Sequence, residues 1–85
     1  MKKRYSLDKL KIGNSAKVIK IDNVGSIRRR LLDIGLIPGT IVTATLISPF
    51  KDPIAYKIRN SLIAIRKNDS KNIIVEELNW KRELR

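Results

Sequence analysis

Leu32-Asp33-Ile34-Gly35-Leu36-Ile37-Pro38-Gly39-Thr40-Ile41-Val42 writes a helix end, a tight turn and a strand start in one short stretch. Ile27, Leu31 and Ile34 stand at i, i+4 and i+7, one face of a helix, and Gly35 follows them where a left-handed residue closes a helix. Pro38-Gly39 suits the two central positions of a type II turn, because proline presets negative φ and glycine accepts positive φ. Thr40-Ile41-Val42-Thr43 is β-branched throughout and should leave the turn as a strand.

On the N-terminal side, Leu7, Leu10 and Ile12 flank a lead-in ended by Gly13-Asn14, and Ala16 to Ile21 reads as a first strand. Asp22 to Ser26 is loop chemistry, with Ser26 placed to cap a helix over Ile27 to Ile34. A helix of about two turns does not persist alone, so it should pack on a sheet. On the C-terminal side, Val42, Ala44 and Leu46 alternate with Thr43 and Thr45, the pattern of a strand with one buried face. A loop of Pro49, Phe50, Asp52 and Pro53 follows. Ile54 to Arg59 and Leu62 to Lys67 then suit a hairpin turning at Asn60-Ser61, with Asn60 taking positive φ, Ile58 opposite Ile63 and Tyr56 opposite Ile65. Asn68 to Asn72 reads as a turn and Ile73 to Leu78 as a last strand. About five short strands and one short helix suggest a mainly β fold, a small closed or nearly closed barrel in a single domain over residues 1–85, with a loose tail from Asn79.

The chain resembles the FeoA family. The resemblance rests on Arg30 to Thr40, on Ser48-Pro49-Phe50-Lys51-Asp52-Pro53-Ile54, and on Tyr56 to Arg59 with Leu62 to Arg66, in the family's order and spacing from about Leu10 to Leu78. It implies an SH3-like barrel and a small cytoplasmic accessory protein of bacterial ferrous iron uptake. The implied partner is FeoB, a membrane permease with a cytosolic GTP-binding domain, which would recruit this protein to the inner face of the membrane.

The residues themselves narrow the chemistry. There is no histidine and no cysteine, hence no ordinary neutral-pH acid–base group, no thiolate nucleophile, no disulfide and neither of the preferred transition-metal ligands. We therefore expect no catalytic residue, no cofactor and no metal site. Glu76 and Glu77 are adjacent on a strand, point to opposite faces and cannot chelate one ion, so any connection with iron is indirect. Asp33 reads as an ion-pair partner of Arg29, and Asp52 as the organiser of its own turn. Met1 to Tyr5 is basic, but Asp8, Lys9 and Lys11 interrupt any apolar run behind it, so no signal peptide is read. The uncharged stretch Ile34 to Phe50 is broken by Gly35, Pro38, Gly39 and Pro49, and no membrane insertion is expected.

Function is then expected at surfaces. Nineteen Lys and Arg against eight Asp and Glu leave +11, which draws the chain to anionic partners. Arg28, Arg29 and Arg30 read as occupying the first helical turn, where cations are disfavoured; they form either a solvated face or a contact for an acidic partner. Alternation turns Ile41 and Ile47 outward with Leu62 and Ile74, and Ile37 lies at the corner. The expected partner-binding set is Arg28, Arg29, Arg30, Leu36, Ile37, Pro38, Ile41 and Ile47. Trp80 either packs back on the barrel, the favoured reading, or anchors in another protein. The alternative function is a basic small barrel that binds nucleic acid, for which the aromatics Tyr5, Phe50, Tyr56 and Trp80 are a thin stacking supply.

Overall fold

A computed structural model describes residues 3–47, 49 and 51–78, with Leu46 and Ile47 described in backbone only. Elements run β1 (Arg4–Ser6), a 3₁₀ turn (Leu7–Lys9), β2 (Ser15–Ile21), α1 (Gly25–Asp33), β3 (Ile41–Ile47), β4 (Ile54–Ile58), β5 (Ser61–Ile65), α2 (Lys67–Ser70) and β6 (Ile73–Glu77). The strands form one antiparallel sheet in the order β1-β6-β2-β3-β4-β5. There are six strands among the described residues, one more than the sequence pattern suggests. β1 escapes that pattern because Arg4-Tyr5-Ser6 has no hydrophobic alternation; its cross-strand partners hold it. Arg4 Nε reaches Glu76 Oε1 at 3.2 Å, and the Tyr5 hydroxyl donates to Glu77 Oε1 at 2.9 Å. Neighbouring carboxylates thus serve opposite faces of β6, as the side-chain alternation of a strand requires.

One sheet face curls around the core. Ala16 and Val18 of β2, Val42 and Ala44 of β3, Tyr56 and Ile58 of β4, and Ile73 and Val75 of β6 are buried there, with Leu7, Leu10, Leu31 and Leu36 closing the gaps. Tyr56 shows how far the sheet bends: its hydroxyl donates to the carbonyl of Leu7, at the far end of the strand order, over 3.4 Å.

Three local expectations are corrected. The β4–β5 register pairs Ile58 with Ser61, Tyr56 with Ile63 and Ile54 with Ile65, so the turn residues are Arg59 and Asn60. Arg59, not Asn60, takes positive φ, at 58°. Moving the turn by one residue changes each pairing by two, which keeps Tyr56, Ile58, Ile63 and Ile65 on the inner face. The segment expected to continue β5 through Lys67 instead begins α2 there, and Asp52 accepts the Lys67 N–H through Oδ1 at 2.8 Å. Asp52 therefore secures the first turn of a neighbouring helix beyond its own loop. Finally, α1 starts at Gly25 with Val24 at the N-cap position and no side-chain capping bond, so Ser26 is inside the helix.

Burial pushes the Tyr56 phenol up to about 12, with a Ser70 hydrogen bond opposing and the charges of Asp8 and Asp52 adding to the rise. The folded protein keeps this proton where the unfolded chain, titrating near 10, has released it. Stability from the group is whole below pH 10 and is lost as pH climbs through 12, on the order of 2–3 kcal/mol. Urea midpoints should fall across that window, and Tyr56→Phe should remove part of the fall. Identical alkaline profiles for the two proteins would contradict a buried phenol.

Candidate protein-docking surface

The corner between α1 and β3 is fixed by backbone bonds that the glycines permit. Leu36 N–H donates to Leu31 O at 3.0 Å and Gly35 N–H to Leu32 O at 3.0 Å, the paired bonds of a Schellman helix end. Gly35 holds φ at +100°, and Thr40 Oγ1 donates to its carbonyl at 2.8 Å. Thr40 N–H closes on Ile37 O at 3.0 Å around Pro38-Gly39, with Gly39 at φ +97°, as a type II turn demands. The turn is then stitched to β2: Gly39 N–H donates to Val18 O and Val18 N–H to Thr40 O, both at 2.8 Å.

This rigid corner separates the predicted contact residues. Leu36 is fully buried in the core, which removes it as a surface contact: the helix end turns its side chain inward. Ile37 and Ile41 are 42% and 47% exposed, and with Pro38 they border an open groove of about 610 Å³. Lys57 and Arg59 of the β4–β5 hairpin border its other side. Those two cations were absent from the sequence-predicted set. Alternation shows that Lys57 faces away from Tyr56 and Ile58, but only the register Thr43↔Lys57 brings it beside the corner. Ile47 belongs to the residues whose side chains are not described, and Trp80, with the tail from Asn79, also lies outside the described residues. Ile74 is half-buried on β6, with β2 between it and β3, so it does not join the corner.

The three arginines sit differently from expectation. Because α1 begins at Gly25, Arg28 closes its first turn, Arg29 lies past it, and Arg30 falls in the last turn, where the helix dipole favours a cation. Arg28 Nη1 donates to Ile21 O at 2.7 Å and ties α1 to the end of β2. Arg29 is exposed, and among the described residues no ion pair joins it to Asp33. Arg30 faces a second groove, between α1 and β5.

Among the described residues no three carboxylate, histidine or cysteine side chains converge as a metal site would require, and no helix is long and apolar enough to cross a membrane. What the geometry offers is a preformed apolar step flanked by cations, suited to contact with an acidic, partly apolar surface.

The FeoA domain model matches residues 5–77. A FeoA-like protein from Clostridium acetobutylicum superposes with a TM-score of 0.82 at 35% identity, covering 92% of this chain and 91% of that one. FeoA from Stenotrophomonas maltophilia, a prokaryotic SH3 domain protein solved with zinc, superposes with a TM-score of 0.74 at 24% identity, covering 82% of this chain and 87% of that one. At that identity the likeness speaks for the SH3-like fold alone. An Fe(2+) transport protein A/Fe(2+) transporter FeoB fusion protein from Porphyromonas gingivalis is 30% identical over 70 residues, which span 82% of this chain and 8% of the fusion. With the family match running from β1 through β6, and with an SH3-like barrel beneath it, the chain belongs to the FeoA domain family.

Proposed function

We propose that this protein is a non-catalytic accessory of ferrous iron uptake, working by contact with the cytosolic GTP-binding region of a FeoB-type permease at the cytoplasmic face of the membrane. The observation that carries this reading is the Porphyromonas gingivalis fusion, which joins a region similar to this chain to FeoB in one polypeptide. Covalent linkage holds two modules at about millimolar effective concentration, an advantage where their function requires them to touch.

The corner groove is the contact surface in this reading. Ile37, Pro38 and Ile41 supply apolar area, Lys57 and Arg59 supply charge, and the Schellman end and type II turn preorganise all of them, so little ordering cost falls on binding. Titrating the permease's soluble portion with labelled protein tests it. Binding should appear at low salt and weaken about tenfold in Ile37→Asp with Lys57→Glu, both exposed positions. No binding at low salt, or binding indifferent to the paired substitution, would remove the surface from consideration.

The nucleic-acid reading gains nothing from the aromatics the structure describes. Tyr56 is fully buried, and Tyr5 is half-buried with its hydroxyl bonded to Glu77, so neither offers a free face for base stacking. Retention on single-stranded RNA near physiological salt, with a steep salt slope, would nonetheless reverse that judgement.

A further inference from the structure

β5 is an edge of the sheet: it pairs with β4 and with no other strand among the described residues. Because Ile58↔Ser61 closes the two-residue turn, Ser61, Ile63 and Ile65 exchange hydrogen bonds with β4, and Leu62 and Ala64 aim their N–H and C=O groups the other way. Edges of this kind are ordinarily blunted by charge, proline or a bulge. Ser61-Leu62-Ile63-Ala64-Ile65 has no charge and no proline, and its register with β4 runs without a shift. Leu62 is moreover 59% exposed.

Beside that edge lies a groove of about 260 Å³. Ile63 and Ala64 line it from β5, Ile27 from α1 and Ile34 from the C-cap of that helix. Arg30 and Arg66 also border it, against the single carboxylate of Asp69. A free edge, an apolar trough and a helix across the trough are the parts used by domains that capture a peptide as an added strand, in which main-chain bonds supply affinity and alternate side chains supply selectivity.

We propose that an extended acidic segment of another protein adds to β5 as a further strand, its groove-facing apolar side chains packing against α1 and the carboxylates at its ends meeting Arg30 and Arg66 on the groove's rim. Charge decides the occupant. The chain carries +11, and the groove presents two guanidiniums to one carboxylate, so an acidic strand is drawn in. A second copy is disfavoured, since antiparallel pairing of two β5 edges sets Arg59 of one against the Arg66-Lys67 end of the other, between molecules of like charge. The site is separate from the corner surface, sharing none of its lining residues, so either can fail without the other.

The test is amide-resolved NMR of the full chain with an N-acetylated octapeptide as the probe, carrying glutamates at both ends and valine alternating with threonine between them. Saturable shifts and slowed exchange at the Leu62 and Ala64 amides are expected. N-methylation of the peptide residues facing β5 should weaken binding about tenfold, the scale of losing one or two main-chain bonds. Arg30→Glu with Arg66→Glu, both exposed, should switch preference to the matching peptide with lysines in place of the glutamates. Four results would overturn the proposal: no binding, shifts confined to other strands, equal binding of the N-methylated peptide, or a dimer that protects those two amides without peptide.

Discussion

Leu36→Ala is expected to lower folding stability by about 2–5 kcal/mol, the range for truncating a fully buried leucine whose surroundings only partly collapse. A chain of this length holds on the order of 4–13 kcal/mol in total, so the loss takes a large share of the reserve. Leu36 is buried completely, beneath the turn that carries Ile37 and Ile41 to the surface, and its own N–H completes the helix end. The urea midpoint should fall by about 1 M or more. Ile37→Ala, one residue along and 42% exposed, should cost less than about 1 kcal/mol yet weaken the proposed permease contact. Adjacent residues in one motif therefore separate by readout, one in denaturation and the other in binding. A Leu36→Ala protein that unfolds with the unaltered chain would mean that the corner is not supported from below.

The contrast between Leu36 and Ile37 also shows where sequence reading stops. Gly35, Pro38 and Gly39 announce their conformations locally, because positive φ and a ring-fixed φ are properties of single residues, and the corner was legible from them. Side-chain direction just after a helix end has no such marker. The alternation of a strand does not begin until Ile41, and only the bonds from Leu36 to Leu31 and from Val18 to Thr40 decide that Leu36 turns in and Ile37 out. The hairpin gives the same lesson. Parity was legible in Tyr56, Ile58, Ile63 and Ile65, since any even change of pairing keeps them inside. The turn itself was not, because Asn60 is the better left-handed residue in isolation, while the folded chain places Arg59 there. Arg59 and Lys57 then enter the corner surface through β3–β4 pairing, which joins parts of the chain that no local pattern links.

The edge at β5 was hidden for a related reason. Five uncharged residues after a turn look like any internal strand, and only strand order reveals that nothing pairs with their far side among the described residues. The arginines were misplaced by a shift at the helix start. With Ser26 as cap all three fall in the first turn; with Gly25 as first residue Arg28 closes that turn and braces β2, while Arg29 and Arg30 lie past it. A two-residue shift of the helix start is enough to move Arg30 from the turn that disfavours a cation to the turn that favours it.

Gly35→Val is expected to cost about 2–3 kcal/mol, most of it in the backbone, since a β-branched residue at φ +100° brings its Cβ against the following carbonyl and strains both closing bonds of the helix. A second contribution comes from crowding. A Cβ at this position would stand 2.7 Å from Arg59 Nε and 3.1 Å from its Cδ, so the guanidinium must swing aside. That displacement is cheap in stability because Arg59 is exposed and flexible, but it removes a cation from the corner groove. Two comparisons divide the effects. Gly35→Asn should cost only about 1 kcal/mol, as asparagine tolerates left-handed backbone. Placing Gly35→Val in an Arg59→Ala background should recover less than about 1 kcal/mol, because the backbone strain remains. Full recovery would assign the glycine to making room for Arg59, and a Gly35→Val protein as stable as its parent would dismiss the strained helix end altogether.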